Sequence, residues 1–595
     1  MDTLVKFASG LTDEGSSEPT ATRWRQAAPW LAACLLALSA GAAHQWQTTR
    51  IGALGDFAYI LDTAWRIAQG EVMYRDFVLP HSPLTFHVQA TLIKLFGFSY
   101  GLTVWYCTAV NVTYVLLTYQ LMRILLPPWS AVGLCAPLVW LAPHTLYPHP
   151  FYDPDAALLI LLNLNLLHWV MTTQTGLVVA FLCGMTTVLP ALAKQNIGYP
   201  YAGLVGLGAL WWGWFRETRG ASAKDDPEAA SARAARRFMY GILGGALATL
   251  GWLAATCGLE NYLFWVFVSA SRRLARPTLA EAYGPWLRWA SGLALVAGWR
   301  LWLSTSSGTS PQWMKATGLA LLLSPFLIVV AATFLAERFF VDLDYPLLSL
   351  WVPVMLLAVV AGVWQERTPA RPTSLVKALL LWACLTVTFF SFLSQAHYGS
   401  SYGIWALFFL MLSCALSALP DDARRARVAW GLALMMTVAA VPYVQKNVRL
   451  RYVDQSGDNL QTLVSGPLKG FTTCAPYLSD FVELLAFAGE RIPPQDLVAC
   501  IPQEEPFYVL TGRRNPLRIV AFDRTANPLS PAELVEEALR RQARWVVLKK
   551  RLQMKSLSKE VEGVPERFLA KYDLFAELDG YVILHRPSSV KADSL

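Results

Sequence analysis

The chain of 595 residues is strongly apolar: 55% of its residues are hydrophobic and only 15% are charged, and 24 are tryptophan. The apolar residues fall in blocks of about 20, the length of a membrane-spanning helix, which excludes a large soluble core and predicts a polytopic α-helical membrane protein. The net charge of +8 does not indicate a nucleic-acid partner, because the basic residues lie in short loops between the apolar blocks.

The apolar blocks predict about thirteen transmembrane helices, and these set the domain boundaries. Residues 1–27 form a polar tail, and the first span covers roughly 28–45 without a clear signal-peptide cleavage site. The membrane domain then extends over 28–444. The other predicted spans are 102–126, 130–147, 155–173, 177–193, 197–215, 238–257, 287–304, 316–335, 346–364, 375–394, 403–419 and 428–444.

The basic residues predict the orientation of these spans. Arginine and lysine cluster in every second loop, as at 216–237, 367–377 and 424–427. Because such clusters stay on the cytoplasmic side, the N-terminus should be cytoplasmic, and an odd number of spans places residues 445–595 outside. The predicted external loops are 46–101, 148–155, 258–287 and 394–403.

The stretch 55–87 of the first external loop concentrates ionisable residues between two apolar blocks. Apolar residues recur at helical spacing over 57–68, with polar residues such as Asp62 on the opposite face. Asp56 stands where an N-cap would, and Gly70 fits a C-terminal stop. We therefore expect an amphipathic helix that lies along the membrane surface with its apolar face down.

The rest of this loop is irregular, since Pro80 and Pro83 punctuate it, and it carries Tyr74, Asp76 and His81. Ionisable groups concentrated at one membrane surface indicate a reaction site. Residues on the other external loops and hairpins can face the same cavity. These are Asp153 and Asp155, Lys194 and Gln195 in the hairpin 189–200, Arg272 and Arg273, and His397 and Tyr398.

The tail 445–595 is predicted to be a small external α/β domain. Short β-rich runs, DLVACIP, FYVLTGR, LRIVAF, RWVVLKK and YVILHR, occur together with the helical segments PAELVEEALRRQ and PERFLAKY. Cys474 and Cys500 are the two cysteines outside the apolar blocks, so we expect a disulfide between them in an oxidising compartment.

A spaced pattern in the first loop combines Asp56, YRDF at 74–77, His81 with Pro83, and LFG at 95–97. It resembles the first external loop of bacterial integral-membrane glycosyltransferases of the GT-C fold. The most similar set is family 39, which includes protein mannosyltransferases and, nearby, the lipid A aminoarabinose transferase. The resemblance implies the GT-C fold, a sugar donor on a polyprenyl phosphate, a cell-envelope acceptor and a place in the bacterial inner membrane.

The resemblance also implies roles for the loop residues. An Asp of the first loop would act as the base that takes the acceptor's proton, and Asp56 holds that position, with helix capping as the alternative. Cations and hydrogen-bond donors on the other loops would bind the donor phosphate, with membrane anchoring or contact with lipid headgroups as the alternative. The residues in question are Lys194, Arg272, Arg273, His397 and Tyr398.

Several alternatives stay open. Asp153 or Asp155 could supply the base or cap the following span, and Asp76 could form a surface ion pair with Arg75. His81 falls near a metal-ligating position of the aminoarabinose transferase, but the second ligand position falls on an apolar residue, so a divalent metal is unsupported and no cofactor is predicted. Two other functions also fit the composition: transport or flipping of a lipid-linked glycan, and ligation or polymerisation of such glycans.

Overall fold

A computed structural model describes the chain over fourteen segments, to which all structural statements below refer. In these segments, long helices form a bundle, and a small α/β domain follows them. The described residues are 20–50, 52–173, 176–215, 227–273, 286–305, 311–339, 346–367, 375–394, 401–419, 421–445, 459–522, 527–553, 555–559 and 561–586.

The bundle has the predicted membrane-spanning character. Eight of the described helices are long and apolar enough to cross a membrane, and two shorter apolar helical segments accompany them. The number of about thirteen spans stays a prediction, because some predicted spans are interrupted helices. The predicted span 130–147, for example, is divided into three short helices at Pro137 and Pro143. Proline lacks the N–H that would continue a preceding helix, so a new helix begins beside each of them.

The regular elements are numbered here in chain order. The α-helices are α1 (Thr20–Thr48), α2 (Leu54–Ala68), α3 (Leu84–Phe96), α4 (Tyr100–Met122), α5 (Pro128–Cys135), α6 (Leu138–Leu141), α7 (Pro143–Leu146), α8 (Tyr152–Thr172), α9 (Leu177–Met185), α10 (Leu189–Ala193), α11 (Gln195–Leu210), α12 (Pro227–Thr256), α13 (Leu259–Leu263), α14 (Trp286–Ser304), α15 (Gln312–Phe339), α16 (Trp351–Arg367), α17 (Leu375–Ser394), α18 (Trp405–Ser417), α19 (Asp422–Gln445), α20 (Tyr477–Arg491), α21 (Phe507–Thr511), α22 (Pro531–Arg540) and α23 (Val564–Leu569). The strands are β1 (Leu460–Thr462), β2 (Thr472–Cys474), β3 (Val498–Ile501), β4 (Trp545–Lys549), β5 (Asp573–Glu577) and β6 (Tyr581–His585).

Helix α2 is the helix that was predicted for the first external loop, and its start differs from the prediction. It begins at Leu54, with Ala53 at the N-cap position and no side-chain cap. Asp56 therefore lies inside the first turn of the helix and not at the N-cap position. The helix dipole stabilises a carboxylate in that turn. The capping alternative for Asp56 is wrong for this structure. Gly70, with φ +93°, follows the end of the helix as predicted.

The polar face of α2 contacts the C-terminal domain. Asp62 is buried and accepts hydrogen bonds from the backbone N–H of Val509 and from the side-chain amide of Gln503, each at 2.9 Å. Arg66 donates to the carbonyl oxygen of Leu517 at 2.6 Å. The indole N–H of Trp65 donates to another carbonyl of the same domain at 3.0 Å. The periodicity of α2 is amphipathic, but protein covers both of its faces, since Phe57, Ile60 and Leu61 are also fully buried. The expectation that its apolar face lies on the membrane surface is therefore wrong for this structure.

Burial at this domain contact raises the pKa of the Asp62 carboxyl to about 7, although Val509, Gln503 and the charge of Arg66 oppose the shift. Between about pH 4 and 7 the folded protein retains a proton that the unfolded chain has lost, so the free energy of unfolding should fall as pH rises through this window. We expect the free energy of unfolding of the wild type, relative to that of Asp62→Asn, to decrease by on the order of 3 kcal/mol from pH 5 to pH 8. Parallel melting curves for the two proteins across this range would contradict the expectation.

The C-terminal domain is built around a four-stranded sheet with the order β3-β4-β6-β5. Strands β3 and β4 are parallel, and the other two neighbouring pairs are antiparallel. The helix α22 begins with a capping box in which Ser530 and Glu533 bond reciprocally. A separate antiparallel pair, β1 and β2, precedes the sheet. The predicted α/β character of this domain is therefore present.

Two of the β-rich runs do not form strands. The run FYVLT is helix α21, which packs against α2 and ends at Gly512 in the left-handed conformation. The run LRIVAF contributes one isolated bridge, between Ile519 and Val78. In both segments the contacts with residues 54–78 of the predicted first external loop override the strand preference of aromatic and β-branched residues. The prediction missed the helix α20 and the edge strand β5.

The predicted disulfide between Cys474 and Cys500 is wrong for this structure, in which both residues are thiols. Cys474 belongs to strand β2 of the two-stranded sheet, and Cys500 belongs to strand β3 of the four-stranded sheet. Cys500 instead lies beside Tyr508, whose hydroxyl accepts from the backbone N–H of Cys500 at 3.2 Å. The two cysteines therefore do not pair, because each thiol packs within a different sheet.

Candidate active site at the connecting loops

Lys194 and Asp153 form a buried ion pair. The side chain of each residue is at most 5% exposed, and the Lys194 ammonium lies 5.5 Å from the centre of the Tyr152 ring. Asp153 belongs to the first turn of α8, where the helix dipole stabilises a negative charge. The two residues were predicted separately, on different external segments, and the structure brings them together.

The chain reverses sharply at Lys194, and this turn positions the ammonium. Lys194 is both the C-cap of α10 and the N-cap of α11, with extended backbone angles (φ −146°, ψ 111°). A Cβ on Gly198 would lie 2.1 Å from the backbone nitrogen of Ala191, so glycine permits the two helices to approach this closely. Helix α10 itself begins with Pro190 in its first turn.

Asp153 also contacts the segment that joins α17 to α18. A Cβ on Gly403 would lie 3.1 Å from the Cβ of Asp153, so the short turn Ser401–Gly403 packs directly on the backbone and Cβ of this residue. The Oδ2 atom of Asp153 is buried and has no hydrogen-bond partner among the described residues. One oxygen of this carboxylate thus binds Lys194, while the other keeps an unused acceptor in the interior.

Asp155 is occupied in a different way. Its two carboxylate oxygens accept from the hydroxyls of Thr85 and Tyr106, each at 2.7 Å. These bonds join α8 to α3 and α4, and Asp155 is 6% exposed. The Asp155 carboxylate therefore links three helices by hydrogen bonds. This favours a structural role for Asp155 over a role as the base.

The loop between α2 and α3 is shaped by hydrogen bonds of His81, Tyr74 and Gln195. The Tyr74 hydroxyl donates to the carbonyl oxygen of His81, while Tyr74 itself has φ +70°, a conformation that is uncommon for a residue other than glycine. The Gln195 amide donates to the carbonyl of Pro80 at 3.1 Å and accepts from the hydroxyl of Ser82 at 3.1 Å. Gln195 therefore ties this loop to the Lys194 turn.

His81 lies with its ring next to the Tyr152 ring, which in turn lies beside the ion pair of Lys194 and Asp153. Its ring lies 4.7 Å from that of Tyr152, the same ring that faces the Lys194 ammonium. Its Nδ1 is 2.9 Å from the hydroxyl of Tyr59. Tyr59 and Tyr152 were not predicted as site residues; the signal was their position next to Asp56 and Asp153 in two aromatic-rich loops.

Asp56 is half-buried and lies one helical turn before Tyr59 on α2. Residues three apart share a helix face, so Asp56 lies on the side of α2 from which Tyr59 contacts His81. The start of α2 is also fixed to the second loop, because the backbone N–H of Ala53 donates to Nε2 of His149 at 3.1 Å. Asp56, the base that the resemblance implies, thus belongs to the same group of contacting loops as the ion pair of Lys194 and Asp153.

Asp76 lies apart from this assembly. It forms an ion pair with Arg75 at 3.0 Å and accepts from the backbone N–H of Val72 at 2.7 Å. The hydrogen bonds from Arg75 hold the pKa of the Asp76 carboxyl below its usual value, outweighing partial burial. The structure therefore supports the ion-pair alternative for Asp76 and places it at the contact with the C-terminal domain.

Some predicted site residues lie outside the described part of the chain. These are the side chains of Arg272 and Arg273, and the residues His397 and Tyr398. In the described ranges no three His, Cys, Asp or Glu side chains form a group that could hold a metal ion, and we assign no step to a metal.

The bundle of apolar helices, its irregular connecting loops and the following α/β domain define a polytopic membrane protein, and its fold is the GT-C fold of integral-membrane glycosyltransferases. The oligosaccharyltransferase of Archaeoglobus fulgidus in its apo form is similar to this chain with a TM-score of 0.51 at 11% identity, over 89% of this chain and 70% of that chain. Its complex with Zn and sulfate gives a TM-score of 0.50 at 12% identity, over 91% and 71%.

ArnT from Cupriavidus metallidurans in the apo state is 13% identical over 95% of this chain and 98% of its own, but its TM-score of 0.37 carries no argument. No protein-family model matches the sequence, and no curated protein matches it. At identities this low, the similarity establishes the fold alone.

Proposed function

We propose that this chain is a glycosyltransferase that transfers a sugar from a polyprenyl-phosphate-linked donor to a cell-envelope acceptor on the external side of the membrane. The buried pair of Lys194 and Asp153, at the junction of the external loops of a GT-C fold, is the observation that carries the proposal. Solved structures of this fold include an oligosaccharyltransferase with a tethered acceptor peptide, which supports transfer to an acceptor.

Lys194 would bind the phosphate of the donor, which is the leaving group of the reaction. Its ammonium lies in a site from which most water is excluded, and there a cation stabilises the growing phosphate charge more strongly than in water. Asp153 holds the ammonium in place through the ion pair. A donor phosphate would then share Lys194 with Asp153.

Asp56 would act as the general base. Of the four candidate carboxylates, Asp155 accepts from two hydroxyls, and Asp76 binds Arg75 and a backbone N–H. Asp153 binds Lys194. Asp56, half-buried on the loop side of α2, holds the position that the resemblance gives to the base. It would take the proton of the acceptor hydroxyl while the acceptor oxygen bonds to the anomeric carbon. The bond from that carbon to the phosphate breaks, the phosphate leaves with the electron pair, and attack from the opposite side inverts the centre.

Transfer by the purified protein tests this function. The full chain would be reconstituted in phosphatidylcholine vesicles with a set of polyprenyl-phosphate sugars and an envelope extract, and the release of polyprenyl phosphate would be measured by mass spectrometry. We expect acceptor-dependent release together with a glycosylated product of correspondingly greater mass. Movement of intact donor across the bilayer without any release would instead support a flippase.

The proposal requires the C-terminal domain to be external, because that domain packs on the loop helix α2 that carries Asp56. We expect alkaline phosphatase fused after Leu595 to be active in cells and a green fluorescent protein fused there to be dark, since each folds on one side of the membrane only. The same pair of reporters fused after residue 220, in a predicted cytoplasmic loop, is the control and should give the reverse result. Fluorescence after Leu595 would overturn the proposed orientation.

A further inference from the structure

A cleft with a volume of about 540 Å³ lies where the first external loop meets the C-terminal domain. Its lining contains five arginines and two carboxylates, which leaves an excess of three positive charges. The arginines are Arg66 and Arg75 from the loop and Arg514, Arg518 and Arg541 from the C-terminal domain. The cleft is distinct from the Lys194 pair, and none of its residues is used by the proposed mechanism.

The two carboxylates are already occupied by the loop arginines. Glu71 binds Arg66, with 2.6 Å between the closest oxygen and nitrogen, and Asp76 binds Arg75. Each of these ion pairs is neutral, so the wall of the cleft that the loop forms carries no net charge. The excess of positive charge therefore belongs to the wall formed by the C-terminal domain.

The arginines of that wall keep hydrogen-bond donors unused. Arg514 is exposed and has no hydrogen-bond or ion-pair partner in the described parts of the chain. Arg518 donates one bond to the carbonyl of Arg75, at 3.1 Å, but its Nε atom is buried without a partner in these parts. Arg541 reaches Glu537 only at 3.5 Å. A buried donor without an acceptor is costly, and an acceptor that enters the cleft would remove that cost.

We infer that this cleft binds an oxyanion of the phosphate class, held by Arg514, Arg518 and Arg541. Guanidinium groups match the geometry of phosphate oxygens and bind them with two parallel hydrogen bonds. The cleft has the volume of an ordinary small-molecule site, so it accommodates a phosphate together with the group that bears it. A merely solvated basic surface would leave the buried Nε of Arg518 unexplained.

Binding of inorganic pyrophosphate tests the inference without any transferase assay, so its outcome does not depend on the proposed function. The full-length protein in phosphatidylcholine nanodiscs would be titrated by calorimetry at low and high salt. We expect saturable binding that weakens as salt increases. Arg514→Gln and Arg541→Gln should each weaken it by about fivefold, and the two together by about twentyfold or more.

Arg567→Gln is the matched control, since Arg567 is an exposed arginine of the same domain outside the cleft. It changes the net charge equally and should leave the affinity unchanged. Repeating the titration in nanodiscs with phosphatidylglycerol identifies the source of the anion: weaker pyrophosphate binding that depends on Arg514 indicates lipid headgroups, and unchanged binding indicates a soluble phosphate. No binding by the wild type, or equal losses in Arg567→Gln and Arg514→Gln, would overturn the inference.

Discussion

The Asp56→Asn protein is expected to fold normally and to transfer sugar at least about a hundredfold more slowly than the wild type. The substitution keeps the size of the side chain and removes its negative charge and its ability to take a proton. Because Asp56 lies inside the first turn of α2 and not at the N-cap, its loss removes no helix cap. The weaker interaction with the helix dipole should lower the free energy of unfolding by about 0.3–1 kcal/mol.

The measurement is single-turnover transfer from a polyprenyl-phosphate sugar, with the melting temperature as the control for folding. Asp153→Asn and Asp155→Asn belong in the same series, because both carboxylates were alternatives for the base. Asp155→Asn should mainly lower the melting temperature, since it disturbs the bonds to Thr85 and Tyr106. Full activity of Asp56→Asn would reject Asp56 as the base even if transfer itself is demonstrated.

Separating Lys194 from Asp153 is expected to have the largest effect on stability. Lys194→Met leaves a buried carboxylate without its cation, and Asp153→Asn leaves a buried ammonium without its anion. Removing one member of a buried ion pair costs about 3–5 kcal/mol. A lysine that merely anchors a hairpin at the membrane surface would tolerate the change, but Lys194 is 4% exposed.

The double variant Lys194→Met/Asp153→Asn distinguishes a structural pair from a donor site. It removes both charges, so we expect it to recover most of the stability that either single variant loses. If Lys194 also binds the donor phosphate, the double variant stays unable to bind polyprenyl-phosphate donor although it is folded. Donor binding that returns together with stability would reduce the pair to a structural role.

Local sequence determined the features that depend on neighbouring residues. Blocks of about 20 apolar residues predicted a membrane bundle, because a helix must bury its backbone polar groups internally to cross lipid. The spacing of apolar residues over 57–68 predicted the helix α2, and the motif around Asp56 by itself indicated the GT-C fold. The capping box of α22 likewise follows from its own four residues.

Tertiary structure alone decided which of these elements meet. Lys194 and Asp153 are 41 positions apart, and Asp62 and Gln503 are 441 apart, so no local pattern could pair them. The same distance in sequence explains the errors: FYVLT became a helix because α2 packs against it, and Cys474 and Cys500 were drawn into different sheets. Such contacts form between side chains that only the folded chain brings together, and the free energy that they contribute outweighs the preferences of short segments.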